Sequence, residues 1–212
     1  MLEIVTFVLG PVQTNVYLVA DGQSGDAVVV DPAWDGELIL AEADRKGWRI
    51  DGIWLTHAHF DHTAGAAAIA QAVNPTPAVA LHPADLPLWR MQGGAPLFGM
   101  HIELGPEPTV ALAQDMILHL GGYKFEVRHA PGHTPGHVVF YCQAEKVMFC
   151  GDVIFGGSIG RTDLPGGSYS VLMESIHRQI MSLPDDTRLL SGHGPETTVG
   201  EERRENPFLL FT

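Results

Sequence analysis

His57-Ala58-His59-Phe60-Asp61-His62 puts four metal-ligating side chains into six positions. Imidazole nitrogen and carboxylate oxygen are donors that zinc accepts at roughly 2.0–2.2 Å. In an extended or turning backbone residues i and i+2 share one side. His57 and His59 can therefore grip one ion, while Asp61 and His62, beyond the turn, can reach a second. Crowding so many groups into one loop is costly without a compensating cation. Three further ligand-type residues stand in similar phrases: His133 in Pro131-Gly132-His133-Thr134, Asp152 in Cys150-Gly151-Asp152, and His193 in Ser191-Gly192-His193-Gly194. Each follows a glycine, which permits the tight backbone needed to aim a side chain into a shared cleft.

The other six histidines carry weaker signals. His82, His101, His119, His129 and His177 have no ligand-type neighbours in sequence. His133 and His137 would adjoin on a helix, but Pro135 and Gly136 argue against one, so His137 reads as a structural or supporting group. Asp31 precedes Pro32 at the end of a strand. It either orients a ligand histidine or makes the turn.

These residues need a scaffold that presents loops at strand ends. Strands are predicted over 3–9 and 15–20 around Gly10-Pro11, then over 27–30, 52–55 and 78–81. Asp35 is expected to N-cap a helix that runs to about Lys46 and ends at Gly47. The Ala-rich stretch 63–73 reads as one helix, and residues 83–110 as a helical turn followed by loop. Strands are expected over 123–129, 137–142 and 146–150. A glycine-rich loop over 153–167 follows, and then a helix from Ser168 or Ser170 to about Leu183, with Leu172, Ile176, Ile180 and Leu183 at helical spacing. The last strand is placed at 187–190. Strands followed by helices in each half predict an α/β, two-sheet sandwich with helices outside. No linker divides the chain, so residues 1–212 read as a single domain.

The 212 residues can bury a core without disulfides. A formal net charge of −13 repels a phosphate backbone, which argues against nucleic acid as a partner. No apolar run approaches the roughly 20 residues of a membrane span. The start, Met1-Leu2-Glu3-Ile4, has no basic region or cleavage site, so no signal peptide is expected. The two cysteines, Cys142 and Cys150, lie in apolar runs and read as buried free thiols. A cytoplasmic protein without a membrane or nucleic-acid partner is the expectation.

Thr56-His57-x-His59-x-Asp61-His62, followed in order by His133, Asp152 and His193, resembles the metallo-β-lactamase superfamily over essentially the whole chain. Within it, Leu9-Gly10-Pro11, Gly151-Asp152-Val153-Ile154-Phe155, the phrase from Gly157 to Gly167 and the tail Asn206-Pro207-Phe208-Leu209 are similar to the short glyoxalase II-like hydrolases. The resemblance implies an αββα sandwich of two mixed β-sheets flanked by helices. It implies two divalent transition-metal ions, zinc by default, with iron or manganese accepted by the same ligands. His57, His59 and His133 would hold the first ion, and Asp61, His62 and His193 the second, with Asp152 bridging. A metal-bridging hydroxide, available because metal lowers the pKa of water towards about 7, would attack a thioester such as S-lactoylglutathione. Asp61 would orient it and take its proton.

Arg161 stands where the family holds a glutathione carboxylate. It either forks onto such a group or is a solvated loop arginine. Asp163 lies where an aromatic residue is expected. The chain ends soon after His193, so the C-terminal helical domain of full-length glyoxalase II is expected to be missing. The partner is a small acyl thioester, and a homo-oligomer is compatible with the apolar tail from Pro207 to Phe211. Gly160-Arg161-Thr162-Asp163 also resembles the mononuclear-iron persulfide dioxygenases. Lactone hydrolysis is a further alternative on the same fold. A β-lactamase is disfavoured by the lack of an export signal, a nuclease by the acidic charge, and a non-catalytic module by the complete ligand set.

Overall fold

The computed structural model describes residues 1–210. Strands β1 (Leu2–Leu9), β2 (Thr14–Asp21) and β3 (Asp26–Val30) form an antiparallel meander. Helix α1 (Gly36–Lys46) then crosses over to β4 (Arg49–Trp54), which pairs parallel to β3. Helices α2 (Phe60–Thr63) and α3 (Ala66–Ala72) lead to β5 (Ala78–Leu81), and α4 (Leu86–Arg90) precedes β6 (Val110–Ala111), both again parallel. The result is one mixed sheet in the order β1-β2-β3-β4-β5-β6.

The second sheet begins with β7 (Ile117–Leu120), β8 (Tyr123–His129), β9 (Val138–Cys142) and β10 (Val147–Gly151), all antiparallel. A small ribbon of β11 (Ile154–Phe155) and β12 (Ser158–Ile159) follows. Helix α5 (Tyr169–Ser175) continues as a π-helical turn, Ile176–Ile180. The chain then returns as β13 (Arg188–Ser191), parallel to β10, and ends with β14 (Thr197–Thr198) and α6 (Val199–Glu205). This sheet is also mixed, in the order β14-β13-β10-β9-β8-β7.

Side chains of a strand alternate between its faces, and here the alternation sorts residues into layers. Tyr17, Val19, Val28, Val30 and Trp54 meet Phe125, Phe140 and Phe149 between the sheets. Val16, Leu18 and Ala20, from the other face of β2, pack with Ile39 of α1 and Ile69 of α3. On the opposite flank Val139, Tyr141 and Met148 pack with Leu172 and Ile176. Both faces of β2, β9 and β10 are thus covered, which is why these strands read as continuous apolar runs. Trp54 meets Phe125 edge-on at 5.2 Å between ring centres. The architecture is the αββα sandwich of two mixed sheets.

Several local expectations are corrected. The helix expected over 63–73 is two helices, α2 and α3. They part at Gly65, whose N–H is drawn to the Pro32 carbonyl at 2.8 Å, and Asp61 and His62 therefore sit in a helical turn. Asp35 occupies the N-cap position of α1 but is left-handed at φ 50° and makes no side-chain cap bond. The ribbon β11–β12 lies inside the expected loop. β6, β7, β14 and α6 are additional, so β13 is not the last strand. Of the apolar tail, Leu209 packs on the flank of the second sheet, Phe208 and Leu210 are exposed, and Phe211 lies outside the described residues. Among the described residues no helix is long and apolar enough to cross a membrane.

Candidate metal centre

Five loops at strand ends converge on one edge of the sandwich. Asp31 follows β3, His57 and His59 follow β4, His133 sits between β8 and β9, Asp152 follows β10, and His193 follows β13. His57, His62, His59, His133 and Asp152 are all buried. Ligand atoms of His57, His59 and His133 lie within 4.8 Å of one another, as do those of Asp61, His62 and His193. Asp152 stands between these triads. Its Oδ1 is 3.3 Å from His62 Nε2, and its Oδ2 is 3.5 Å from His133 Nε2 and 3.6 Å from His193 Nε2. His57 Nε2, His62 Nε2 and Asp152 Oδ1 are buried without a hydrogen-bond partner. Buried polar atoms rarely stay unpaired, and nitrogen and oxygen donors so grouped fit divalent cations. All seven residues expected from sequence meet here.

The backbone is shaped to this packing. A Cβ on Gly192 would overlap Asp152 Oδ1 and stand 2.6 Å from His62 Cε1. The His193 loop is tied down by Asn15, whose Nδ2 donates to the Ser191 and Gly194 carbonyls at 2.9 and 2.8 Å. The Tyr17 hydroxyl donates to the same Ser191 carbonyl at 2.6 Å.

Supporting bonds choose the nitrogen that His57, His62 and His133 present. Asp31 Oδ2 accepts from His62 Nδ1 at 3.0 Å and from the Thr56 hydroxyl at 2.7 Å, and that hydroxyl is 3.0 Å from His57 Nδ1. Asp31 is both the turn residue, at φ 51°, and the orienting carboxylate. A third grouping, Asp31 with His57 and His62, is this orienting network seen from the other side. The Arg161 carbonyl accepts from His133 Nδ1 at 2.8 Å. His137 stacks on His57 with ring centres 4.7 Å apart, and its Nε2 accepts from the Asp152 N–H at 3.0 Å. It is a supporting group.

The sequence gives no hint of Asp85. This fully buried carboxylate accepts from Gly136 N at 2.6 Å, Thr134 Oγ1 at 2.7 Å and Ala58 N at 3.1 Å. It binds the His57–His59 loop to the His133 loop. Of the histidines set aside, His82 and His129 stack on each other at 4.3 Å, away from the triads.

The charges divide. Burial holds His57 well below the ordinary imidazole range, helped by His62 and His137. Burial and His133 hold His59 at about 3. Burial also opposes charge on His62, but Asp152 and Asp61 outweigh it and raise this imidazole well above its usual value. His193 is raised against burial by its bond to Asp61. Asp61 and Asp152 are pulled below the carboxylate range, chiefly by His62, although burial works the other way. His57 and His59 are therefore neutral, and anionic oxygens accompany the second triad.

A cleft of about 430 Å³ opens onto the centre, floored by His59, Asp61, His133, Asp152 and His193. Phe98, Met100, Phe155, Ile159 and Leu164 stand around it. Arg161 reaches its rim, but its guanidinium is engaged twice by Asp163, at 2.7 and 2.8 Å.

The profile of the metallo-beta-lactamase superfamily matches residues 9–193. Hydroxyacylglutathione hydrolase GloC of Haemophilus influenzae is 35% identical over 198 residues, covering 93% of both chains. Among solved structures, BLEG-1 B3 metallo-beta-lactamase superposes with a TM-score of 0.91 at 39% identity, over 99% of both chains. TTHA1623 in a di-iron-bound form superposes at 0.87 with 43% identity, over 97% of this chain and all of that one.

Proposed function

Because the chain belongs to the metallo-beta-lactamase superfamily, we propose that it is a binuclear hydrolase of acyl thioesters such as S-lactoylglutathione. The observation that carries the reading is Asp152, seated between two ligand triads with an oxygen toward each. In this reading His57, His59 and His133 hold one ion, Asp61, His62 and His193 hold the other, and Asp152 is common to both. Ions bound there would polarise the scissile carbonyl and bring a water's pKa towards about 7. Zinc suits the nitrogen-rich donors and iron is accepted by the same set; TTHA1623 is a di-iron case.

Asp61 has the position of the proton acceptor. Its carboxylate is kept ionised chiefly by His62, it borders the cleft, and its Oδ2 lies 3.3 Å from His193 Nε2 and 3.4 Å from Thr14 Oγ1. Phe98, Phe155 and Ile159 limit bulk water at the reacting carbonyl. Arg161 can meet a substrate carboxylate by exchanging Asp163 for it. The likeness to GloC supports a thioester as the substrate class. Two buried free cysteines fit a reducing compartment, the cytoplasm.

The test is elemental analysis and S-D-lactoylglutathione hydrolysis on one sample purified without chelator. Two ions per chain with turnover lost in His59→Ala is the expected result. A single iron, oxygen uptake with a persulfide and no hydrolysis would overturn the reading.

A further inference from the structure

A second cavity, of about 300 Å³, opens beside the cleft and shares His59, Phe98 and Leu164 with it. Pro87, Leu88, Met91, Leu97, Pro135 and Pro165 complete most of its wall. No lysine or arginine lines it, and its one carboxylate, Asp85, is buried and already accepts three hydrogen bonds. Met91, Leu97 and Phe98 around it are nonetheless 62%, 65% and 48% exposed. Large apolar side chains left open to solvent beside a reactive centre mark a binding surface.

The chamber is held in place relative to the metal centre. Gln92, Gly93 and Gly94 are consecutive left-handed residues, and they lay the chain directly against the metal-binding loop. A Cβ on Gly93 would overlap Phe60 N and stand 2.6 Å from Ala58 O. Phe98 also packs on Phe60, with ring centres 5.4 Å apart. The segment 92–98 is therefore a fixed wall running from His59 to the chamber.

The two cavities differ in their polar groups. Ser158 and Arg161 border the cleft and not the chamber. A polar carrier finds its partners on the cleft side, and beyond His59 the chamber offers an entering chain a mostly apolar surface, its one carboxylate already satisfied. We infer that the chamber is an acyl-chain subsite, and that the preferred substrates are thioesters of apolar acyl groups, longer than lactoyl and without charge. This rests on the thioesterase reading above and specifies the acyl half of the substrate.

The experiment measures kcat/KM of the metal-loaded protein on N-acetylcysteamine thioesters from acetyl to octanoyl. The same protein is titrated calorimetrically with acetate and octanoate. Both are repeated on the double variant Met91→Glu/Leu97→Glu, whose changes fall on solvent-exposed side chains. Burial of a methylene stabilises by about 0.8 kcal/mol, so kcat/KM should rise up to about fourfold per methylene until the chamber is full. The octanoyl-to-acetyl ratio should fall at least about tenfold in the variant, because its carboxylates remove the apolar wall. Octanoate should bind more tightly than acetate in the wild type alone. A flat chain-length profile, or a rising one equally steep in the variant, overturns the subsite. If no thioester is hydrolysed, the thioesterase reading fails, and calorimetry decides the chamber separately: octanoate preference lost in the variant supports it, and equal binding of the two acids overturns it.

Discussion

Asp85→Asn tests whether one buried carboxylate holds the two halves of the centre together. In the wild type Oδ1 accepts from Gly136 N–H, while Oδ2 accepts from Thr134 O–H and Ala58 N–H. Asparagine keeps one acceptor oxygen and turns an NH2 group toward the other side. The Thr134 hydroxyl can rotate and accept from that group, but a backbone N–H cannot. Either Ala58 N–H or Gly136 N–H is then left unpaired in the interior, at about 1–3 kcal/mol. The neutral amide removes the desolvation cost that raises the Asp85 carboxyl, so the lower half of that range is expected. For a domain of this size each kcal/mol moves Tm by about 2–4 °C, which predicts a fall of roughly 2–8 °C. Ala58 lies between His57 and His59, and Thr134 follows His133, so the ligands should also loosen. Loss of an outer-shell partner typically costs about 10–100-fold in metal affinity. Thermal unfolding by circular dichroism and competition with a chelating dye read the two effects. Unfolding within about 1 °C of wild type together with unchanged metal affinity would refute the bridging role, against an error in Tm far smaller than the shift expected from an unpaired donor.

Gly192→Ala should abolish metal loading while leaving a folded chain, because its Cβ must displace Asp152 Oδ1 and the His62 ring; normal metal content by elemental analysis would contradict the packing described. The Asp163 carboxyl, exposed and held at about 2 chiefly by Arg161, should titrate near the ordinary carboxylate range in Arg161→Ala when followed by NMR. The sign follows from its depressed value. The pair's contribution is present above the ordinary carboxylate pKa and is lost as pH falls through about 2.

The sandwich and the ligand set were legible because they depend on local signals. Continuous apolar runs in β2 and β9 state that both faces of their sheets are covered, and His57-x-His59-x-Asp61-His62 crowds its donors into one turn. What escaped depends on distant pairs. Asp85 meets Gly136 across 51 residues, and Asn15 meets Ser191 across 176. Pro83-Ala84-Asp85-Leu86-Pro87 reads as an ordinary helix start, and nothing in it announces three buried donors. The ribbon β11–β12 was hidden by its glycines. It is held from outside, by Glu202 accepting from Gly157 N at 2.9 Å and Asn206 donating to the Ser158 carbonyl at 3.0 Å. The break at Gly65 follows from a backbone contact with Pro32 that no helix propensity encodes.

Asp31 shows why two triads form one centre. Thr56 donates its hydroxyl to Asp31 Oδ2, so it can only accept from His57 Nδ1–H, and His62 Nδ1–H donates to that same Oδ2. A single carboxylate oxygen thereby fixes the ring orientation of one histidine in each triad and turns both Nε2 atoms inward, where they lack a hydrogen-bond partner. The Arg161 carbonyl does the same for His133. Because Arg161 rims the cleft, any displacement of its segment would shift the carbonyl that orients His133. At Arg161 the orientation of a donor histidine and the rim of the cleft are carried by one residue.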